Sequence, residues 1–591
     1  MNRPAVERRV RVARRLMAME PEEIAARARE RWRLPAPPDP PPWRPPAAAA
    51  LARQLEHGFL FGPESGLGRL EVWRRERPED AVRLIEAARR GLEAWDVFGV
   101  PVRLEPGAVN WQDGDLRWVW ELNRHQYLFT FARAYGLTGE PVFAERVGAL
   151  VAGWRKANPY GQGPNWSSAL EVAVRALSWL WALPLVWPPP LLREWAAGLY
   201  EHYYYLANHL SLYTDPTNHL IGEAAALWML SVALPGLPGA ARYERQSMEV
   251  LAREVARQVS ADGVSREQST GYQRFVLDFC RQVVQVAARA GRMLPPVIGE
   301  RTWAMGRFLA LLGGDDAPAI GDSDDGRAVP LPQLGDEEAW WLDWAEEPPA
   351  APGGFPEGGY CYFAAGDLAL LFDVGPLGLW PNASHGHADA LSIQVKVGER
   401  WVLGDPGTGA YAANRQVREA LRSTAAHNTV TVDGAGQADP LDTFKWLQPV
   451  HTRLLESRSD ARHDYARAMH DGYLRLGRPV IHSRSVLFVR PPARDAGWMV
   501  QDRLDGTGRR RCAAYFHFPP EARLSAEGPA AVRAVLPGGE GLRLEFSQGA
   551  WRAETGLWSR RFGRWENAPV VVLEQEADLP LLWCTFLSPL R

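Results

Sequence analysis

The feature that most limits what this chain can fold into is the stretch EEPPAAPGGFPEGG at residues 346–359, where proline and glycine are too dense for either helix or strand. The two sides of it read differently. Ahead of it, Trp118, Leu122, His125, Leu128, Phe129, Ala132 and Tyr135 recur at three- and four-residue steps before a stop expected at Gly136, and 142–154 repeats the pattern. Comparable segments span 167–185, 191–210, 218–234, 242–259, 271–290 and 301–312, separated by short loops such as WPPP, TDPT, SADG and LGGDDAP. Helix pairs that follow one another without strands imply an all-α solenoid or a closed (α/α) toroid. Behind the stretch, runs such as YCYFAAGDLALLFDV, LSIQVKVGERWVLGD and HSRSVLFVRP alternate with period two between Gly and Asp turns, which predicts a large antiparallel β-sandwich. The expected organisation is an N-terminal arm at 1–50, including the extended PAPPDPPPWRPPAAAA, an all-α domain at 51–345, a linker at 346–359 and the antiparallel β-sandwich at 360–591.

Composition narrows the partners. With 46% hydrophobic residues, 23% charged and a formal net charge of −3, the chain has the makeup of a soluble globular protein, and neither a nucleic-acid partner nor a membrane is expected. No run is read as long and apolar enough to cross a bilayer. The arginine-rich start, MNRPAVERRVRVARR, is interleaved with Glu and reads as a solvated helix face. An acidic polymer stays compatible with near-neutral net charge, because a local basic cleft is invisible in the sum. Four cysteines without a C-x-x-C pair form neither a disulfide framework nor a thiolate metal site and are read as buried thiols. No uninterrupted apolar core follows the basic start, so a signal peptide is not visible and a cytoplasmic location is the expectation. The 26 tryptophans are assigned mostly to the core, although flat aromatic faces also suit sugar rings.

H-E-x-x-H, G-x-S-x-G, the P-loop and a strand-linked G-x-G-x-x-G are all absent, which sets aside zincin proteases, serine hydrolases and nucleotide enzymes. Histidines carry what remains. Ser384-His385-Gly386-His387-Ala388-Asp389 stands at the entry to a strand expected at 391–397, and period-two geometry would put His385, His387 and Asp389 on one face. Asp405 at a strand end and His427 at a strand start complete, with His387, a set of two imidazoles and one carboxylate suited to zinc, unless these residues merely cap turns. In the helical half, Asn218 and His219 open a helix with Glu223 one turn on, and Asn218 could be an N-cap. The next loop-to-helix junction, REQSTGYQ, puts Tyr272 at a helix start, and a tyrosine and histidine lining one cleft suit proton transfer. The acidic loop Gly314-Asp315-Asp316…Gly321-Asp322-Ser323-Asp324-Asp325-Gly326 lacks the terminal bidentate Glu of a calcium loop and is read as a turn-rich linker.

Seven blocks in order, WELNRHQYL, NWSSALEVAVRALSW, NHLIGEAAALW, EQSTGYQRF, HGHADALS, GDPGTGAY and STAAHNTVTVDG, resemble the successive blocks of heparinase II/III-type lyases and their alginate- and chondroitin-degrading relatives. They run from about Asn110 to Gly434; the segment before residue 50 and the C-terminal third carry no matching motif. The resemblance implies an (α/α) toroid followed by a β-sandwich with an active-site cleft between them. It also implies a carbon-oxygen lyase acting on a uronate-containing acidic polysaccharide. By position it assigns Asn218, His219, Tyr272 and His385 to catalysis, and His387, Asp405 and His427 to one mainly structural zinc ion. Substrate contact is expected from Arg124, Arg175, Glu223 and Tyr411, with the arginines helping to neutralise the uronate carboxylate and Glu223 orienting His219. The competing readings are a glycoside hydrolase on an α/α toroid, which needs two essential carboxyl groups, and a non-catalytic glycan-binding or assembly protein of a surface-polysaccharide pathway.

Overall fold

The computed structural model describes residues 39–105, 116–188, 192–213, 216–328 and 354–590, without the side chains of Leu116 and Asp315. The arginine-rich start, the first four residues of the proline-rich stretch and residues 346–353 of the expected linker lie outside the described residues. Contacts gather the chain into two compact units, neither of them contiguous. The first comprises Met1–Arg257, Phe275–Thr302 and Gly326–Glu346; the second takes Gln258–Arg274 and Trp303–Asp325 together with Glu347–Arg591.

The first unit is the expected (α/α) toroid, a succession of helix hairpins that includes Ala48–Gly58, Pro63–Glu76, Pro78–Glu93, Tyr127–Thr138, Pro141–Ala157, Ala169–Ala182, Leu192–Asn208 and Asn218–Ala233. Proline at the first helical position sets the starts at Pro63, Pro78 and Pro141, where the missing N–H has no intrahelical partner to lose. Ala169–Ala182 is buried at every position. The run Ala169–Val186 is, contrary to expectation, long and apolar enough to cross a membrane, but it is wholly buried inside the unit and so is its core helix. Trp179, Trp181 and Trp195 are among its largest fully buried side chains. The arm's last residues are tied down, with Trp43 Nε1 donating to Gly236 O and Tyr200 Oη to Pro41 O.

Two helix boundaries differ from the periodic reading. The helix expected through Trp118–Tyr135 breaks into Leu116–Asn123 and Tyr127–Thr138, because His125 takes φ 59° while its Nδ1 accepts from Trp179 Nε1 at 2.9 Å. Apolar periodicity survives so short an interruption and does not reveal it. Gly136 is not the stop; the helix continues to Thr138 and is capped by Gly139.

The second unit carries three main antiparallel sheets. An eight-stranded sheet runs in the order Thr452–Ser459, His463–His470, Ile481–Val489, Gly497–Asp505, Leu581–Leu590, Gly541–Phe546, Ala531–Val535 and Arg523–Ala526. Two four-stranded sheets are built from Tyr360–Ala365, Leu368–Asp373, Ile393–Val397 and Arg400–Leu403, and from Ala550–Arg561, Arg564–Asp578, Arg509–His517 and Val430–Val432. One apolar cluster draws on all three, so their inner faces share a core, the arrangement of the expected β-sandwich. In Gly541–Phe546, Leu542, Leu544 and Phe546 point inward while Arg543 and Glu545 pair outside. Polar groups inside this core are chained together: Gly472 N–H donates to His470 Nδ1, His470 Nε2 meets His482 Nδ1 at 3.1 Å, and His482 Nε2 meets Asp502 Oδ1 at 2.7 Å. Arg484 closes the chain on both oxygens of Asp502.

Candidate active site and metal triad

Tyr272 sits in the first turn of Thr270–Ala290, within the second unit. Ser269 Oγ accepts the Tyr272 N–H at 3.0 Å as an N-cap and donates to Asp322 O, while Thr270 bonds to Pro318 O and Ile320 O. Gly321 lies at φ 64°, and a Cβ there would fall 2.3 Å from Gln268 O and 2.8 Å from His385 O. No side chain fits. The acidic loop is thereby pressed between the helix start and the HGH segment, and Asp322 N–H bonds to His385 O at 2.8 Å.

The HGHAD segment is a loop, not a strand; the strand starts at Ile393, with Ala383 and Leu391 at positive φ on either side. The expected alternation of faces is replaced by convergence on one carboxylate. Gly386 permits it, since a Cβ there would lie 1.6 Å from Leu377 O. His385 Nδ1 meets Asp322 Oδ2 at 3.1 Å and His387 Nε2 meets Asp322 Oδ1 at 2.9 Å. Arg418 donates to both oxygens, from Nη2 to Oδ2 at 2.9 Å and from Nη1 to Oδ1. Burial alone would raise the Asp322 carboxyl, but Arg418 and the two imidazoles hold it well below the usual carboxylate range.

The His385 ring stacks on Tyr272, centroids 3.6 Å apart and planes 18° from parallel. Tyr272 Oη lies 3.4 Å from Asp324 Oδ2, which it faces as donor, and 3.2 Å from Tyr411 Oη. Burial first, then Tyr272, pushes the Tyr411 hydroxyl well above its ordinary value, so it keeps its proton. Tyr411 is 4% exposed and packs on Phe444 and Phe562. Its hydroxyl meets that of Tyr272, which it braces.

His387, Asp405 and His427 offer one ligand atom each, all within 4.8 Å of one another and all buried. Among the described residues His387 Nδ1 and His427 Nε2 find no hydrogen-bond partner, an expensive state for buried nitrogens unless something else takes up the lone pairs. His427 Nδ1 meets Asp405 Oδ2 at 2.9 Å, and burial outweighs Asp322 to lower His387, which favours its neutral, ligating form. Burial lowers His427 too, but Asp405 and Asp389 raise it on balance; two imidazole nitrogens and a carboxylate oxygen are a donor set that fits a divalent transition-metal cation. Asn428 fixes the loop behind His427 by donating to Ile393 O and Gly404 O.

The other expected residues belong to the helical unit. Asn218 is fully buried and His219 half-buried at the start of Asn218–Ala233. Glu223, also buried, accepts from Ser211 N–H and Oγ, both at 2.7 Å, and so secures the loop that leads into this helix. Arg124 and Arg175, expected at the substrate, are engaged within the helical unit. Arg124 forms a buried fork with Glu171, Nε to Oε2 and Nη2 to Oε1, both at 2.8 Å. Arg175, fully buried over the Trp154 ring, donates to His202 Nε2, Asn123 O and Asn165 O, and burial pushes it down to about 9. Guanidinium donors are consumed where helix packing needs them.

Asp322 and Arg418 are the site residues that sequence reasoning missed. Asp322 lay in the loop taken for a linker, and Arg418 in a seven-residue helix, Arg415–Leu421, without a recognisable motif. Gly-Asp pairs also stand at Gly314-Asp315, Gly366-Asp367 and Gly404-Asp405, so nothing in the sequence singles out Asp322.

Comparison with known proteins agrees with this layout. The family description Heparinase II/III N-terminus matches residues 86–297, and Heparinase II/III-like, C-terminal matches 347–579. The heparin-sulfate lyase of Pedobacter heparinus is 27% identical over 408 residues, 59% of this chain and 60% of that protein, so the chain spans less than two thirds of that relative. The heparin-sulfate lyase of Bacteroides thetaiotaomicron is 26% identical over 180 residues, 28% of this chain and 25% of that protein. Among solved structures, heparinase III superposes with a TM-score of 0.70 at 16% identity, covering 86% of this chain and 85% of that one. Heparan sulfate lyase HepC from Pedobacter heparinus gives 0.58 at 19%, covering 86% and 83%. With both of its halves matched in order, the chain belongs to the heparinase II/III family.

Proposed function

We propose that the protein is a polysaccharide lyase that cleaves a uronate-containing acidic polysaccharide by β-elimination and leaves an unsaturated uronate end. The observation that carries this reading is the stacked Tyr272–His385 pair, a phenol and an imidazole 3.6 Å apart with the imidazole tied to an ionised carboxylate. Elimination needs two proton movements: the C5 proton leaves, its electrons form the C4–C5 double bond, the C4–O4 bond breaks, and O4 receives a proton. With Nδ1 bound to Asp322, His385 turns Nε2 toward the role of base. Tyr272, whose hydroxyl faces Asp324 as donor, supplies the proton to O4. On a sugar of the opposite stereochemistry, Tyr272 takes the C5 proton itself and returns it to O4.

A carbanion beside a carboxylate forms only when that carboxylate is neutralised. Asn218 and His219 are the proposed donors, since Arg124 and Arg175 already have partners in Glu171 and in His202, Asn123 and Asn165. The substrate class favoured by the named relatives is a heparin- or heparan-type glycosaminoglycan. Zinc is the proposed occupant of His387, Asp405 and His427, where its bonds would lock three loops together without entering the proton transfers. The test is turnover of heparan-type and other uronate polymers, followed by near-ultraviolet absorbance. Wild type should generate absorbing ends, and Tyr272→Phe should fold and bind but not turn over. Absence of such ends on every acidic polymer would refute the reading.

A further inference from the structure

The two oxygens of Asp322 are divided between the two functions assigned to this unit. Oδ2 faces Nδ1 of His385, the ring stacked on Tyr272; Oδ1 faces Nε2 of His387, the ring that points its unpartnered Nδ1 into the metal triad. We infer that Asp322 is a shared positioning carboxylate, which fixes the tautomer and orientation of the proton-transfer histidine and of the metal-ligating histidine in one contact, so that metal occupancy and turnover are mechanically coupled. The inference rests on the lyase reading for His385 alone; its claim on His387 stands without it.

Chemistry sets the tautomers. An ionised carboxylate accepts hydrogen bonds and donates none, so each imidazole must present an N–H to it. For His385 the proton is on Nδ1, leaving Nε2 as the proton acceptor. For His387 it is on Nε2, leaving the Nδ1 lone pair for the metal. A carboxylate behind a ligating histidine fixes that ring and strengthens it as a donor. Arg418 makes the arrangement rigid: it grips both oxygens, and it is itself held by Thr443 O and by the Tyr411 and Phe444 rings. The backbone repeats the coupling, because Asp322 N–H bonds to His385 O. A carboxylate serving only to anchor its loop would need neither imidazole.

The experiment compares Asp322→Asn and Arg418→Lys with wild type in two readouts: affinity for zinc titrated into chelator-stripped full-length protein, and kcat and KM on a uronate polymer. Asparagine keeps the shape but offers one acceptor and an N–H where the other oxygen stood, so at least one imidazole loses its partner. Zinc affinity should fall about 10- to 100-fold, with kcat falling over a similar range and KM little changed. Arg418→Lys, with one ammonium in place of a fork, should show the same two losses in smaller measure, and it decides the matter if Asp322→Asn does not fold. Unchanged zinc affinity in a folded variant, or a loss of one readout without the other, overturns the inference. If wild type cuts no acidic polymer, the lyase reading fails while the zinc arm still decides whether Asp322 supports His387.

Discussion

The helical and β units each bury a cluster of charge, and the clusters differ in what they leave open. In the helical unit, Arg124 closes on Glu171 and Arg175 closes on His202, Asn123 and Asn165. In the β unit, Asp322 and Arg418 close on each other, yet His387 Nδ1 and His427 Nε2 end on nothing, and a phenol–imidazole stack stands on the same carboxylate. Burial and charge are alike in the two. What sets the second cluster apart is that two of its imidazole nitrogens and one carboxylate oxygen lie within 4.8 Å of one another, a ligand set that the first does not offer among the described residues.

The comparison breaks most visibly at Tyr272. Tyr272→Phe should lower kcat by on the order of 10²- to 10⁴-fold with an unchanged unfolding midpoint; a large loss of stability instead would place Tyr272 with the structural cluster. Arg124→Met should behave in the opposite way. Removing one partner of a buried ion pair costs about 3–5 kcal/mol, so urea unfolding should shift strongly, whereas a raised KM at unchanged stability would return Arg124 to the substrate. Stripping metal from the protein should lower its unfolding free energy by about 3 kcal/mol if the cation was present at a hundred times its dissociation constant, read as a lower thermal midpoint, and His427→Ala should abolish that difference.

A last effect concerns pH. Burial lowers His470 well below its ordinary value, and lowers His482 despite Asp502. Above about 6.5, the value in an unfolded chain, both states hold these rings neutral and their contribution is complete. As pH falls below that, the unfolded chain takes up protons that the folded one refuses, and stability drops by up to about 1.4 kcal/mol per pH unit for each ring. Urea unfolding between pH 7 and 5 should show this slope, and His482→Asn should reduce it.

The toroid and the sandwich were legible because each rests on a repeat, three-to-four-residue steps through Val142–Trp154 or alternation through Leu542–Phe546, that burial enforces at every turn. Short blocks drew attention to Tyr272 and His385 and to His387, Asp405 and His427, two groups that the structure brings together. The partners of Arg124 and Arg175 were not visible, for a physical reason. An arginine beside catalytic blocks looks the same in sequence whether its fork meets a ligand or Glu171, and only the long-range partner decides. Asp322 was hidden likewise, since its partners His385, His387 and Arg418 lie 63 to 96 residues away. The His125 break escaped because a few residues of non-helical backbone leave the apolar steps in phase.

The most direct test of the account is the mass of the new ends formed from a panel of uronate and neutral polysaccharides. Elimination predicts products from at least one uronate polymer whose non-reducing ends are lighter by one water than those of hydrolysis, absent with Tyr272→Phe. Fully hydrated ends, or cleavage of a neutral polymer while every uronate polymer stays intact, would contradict it.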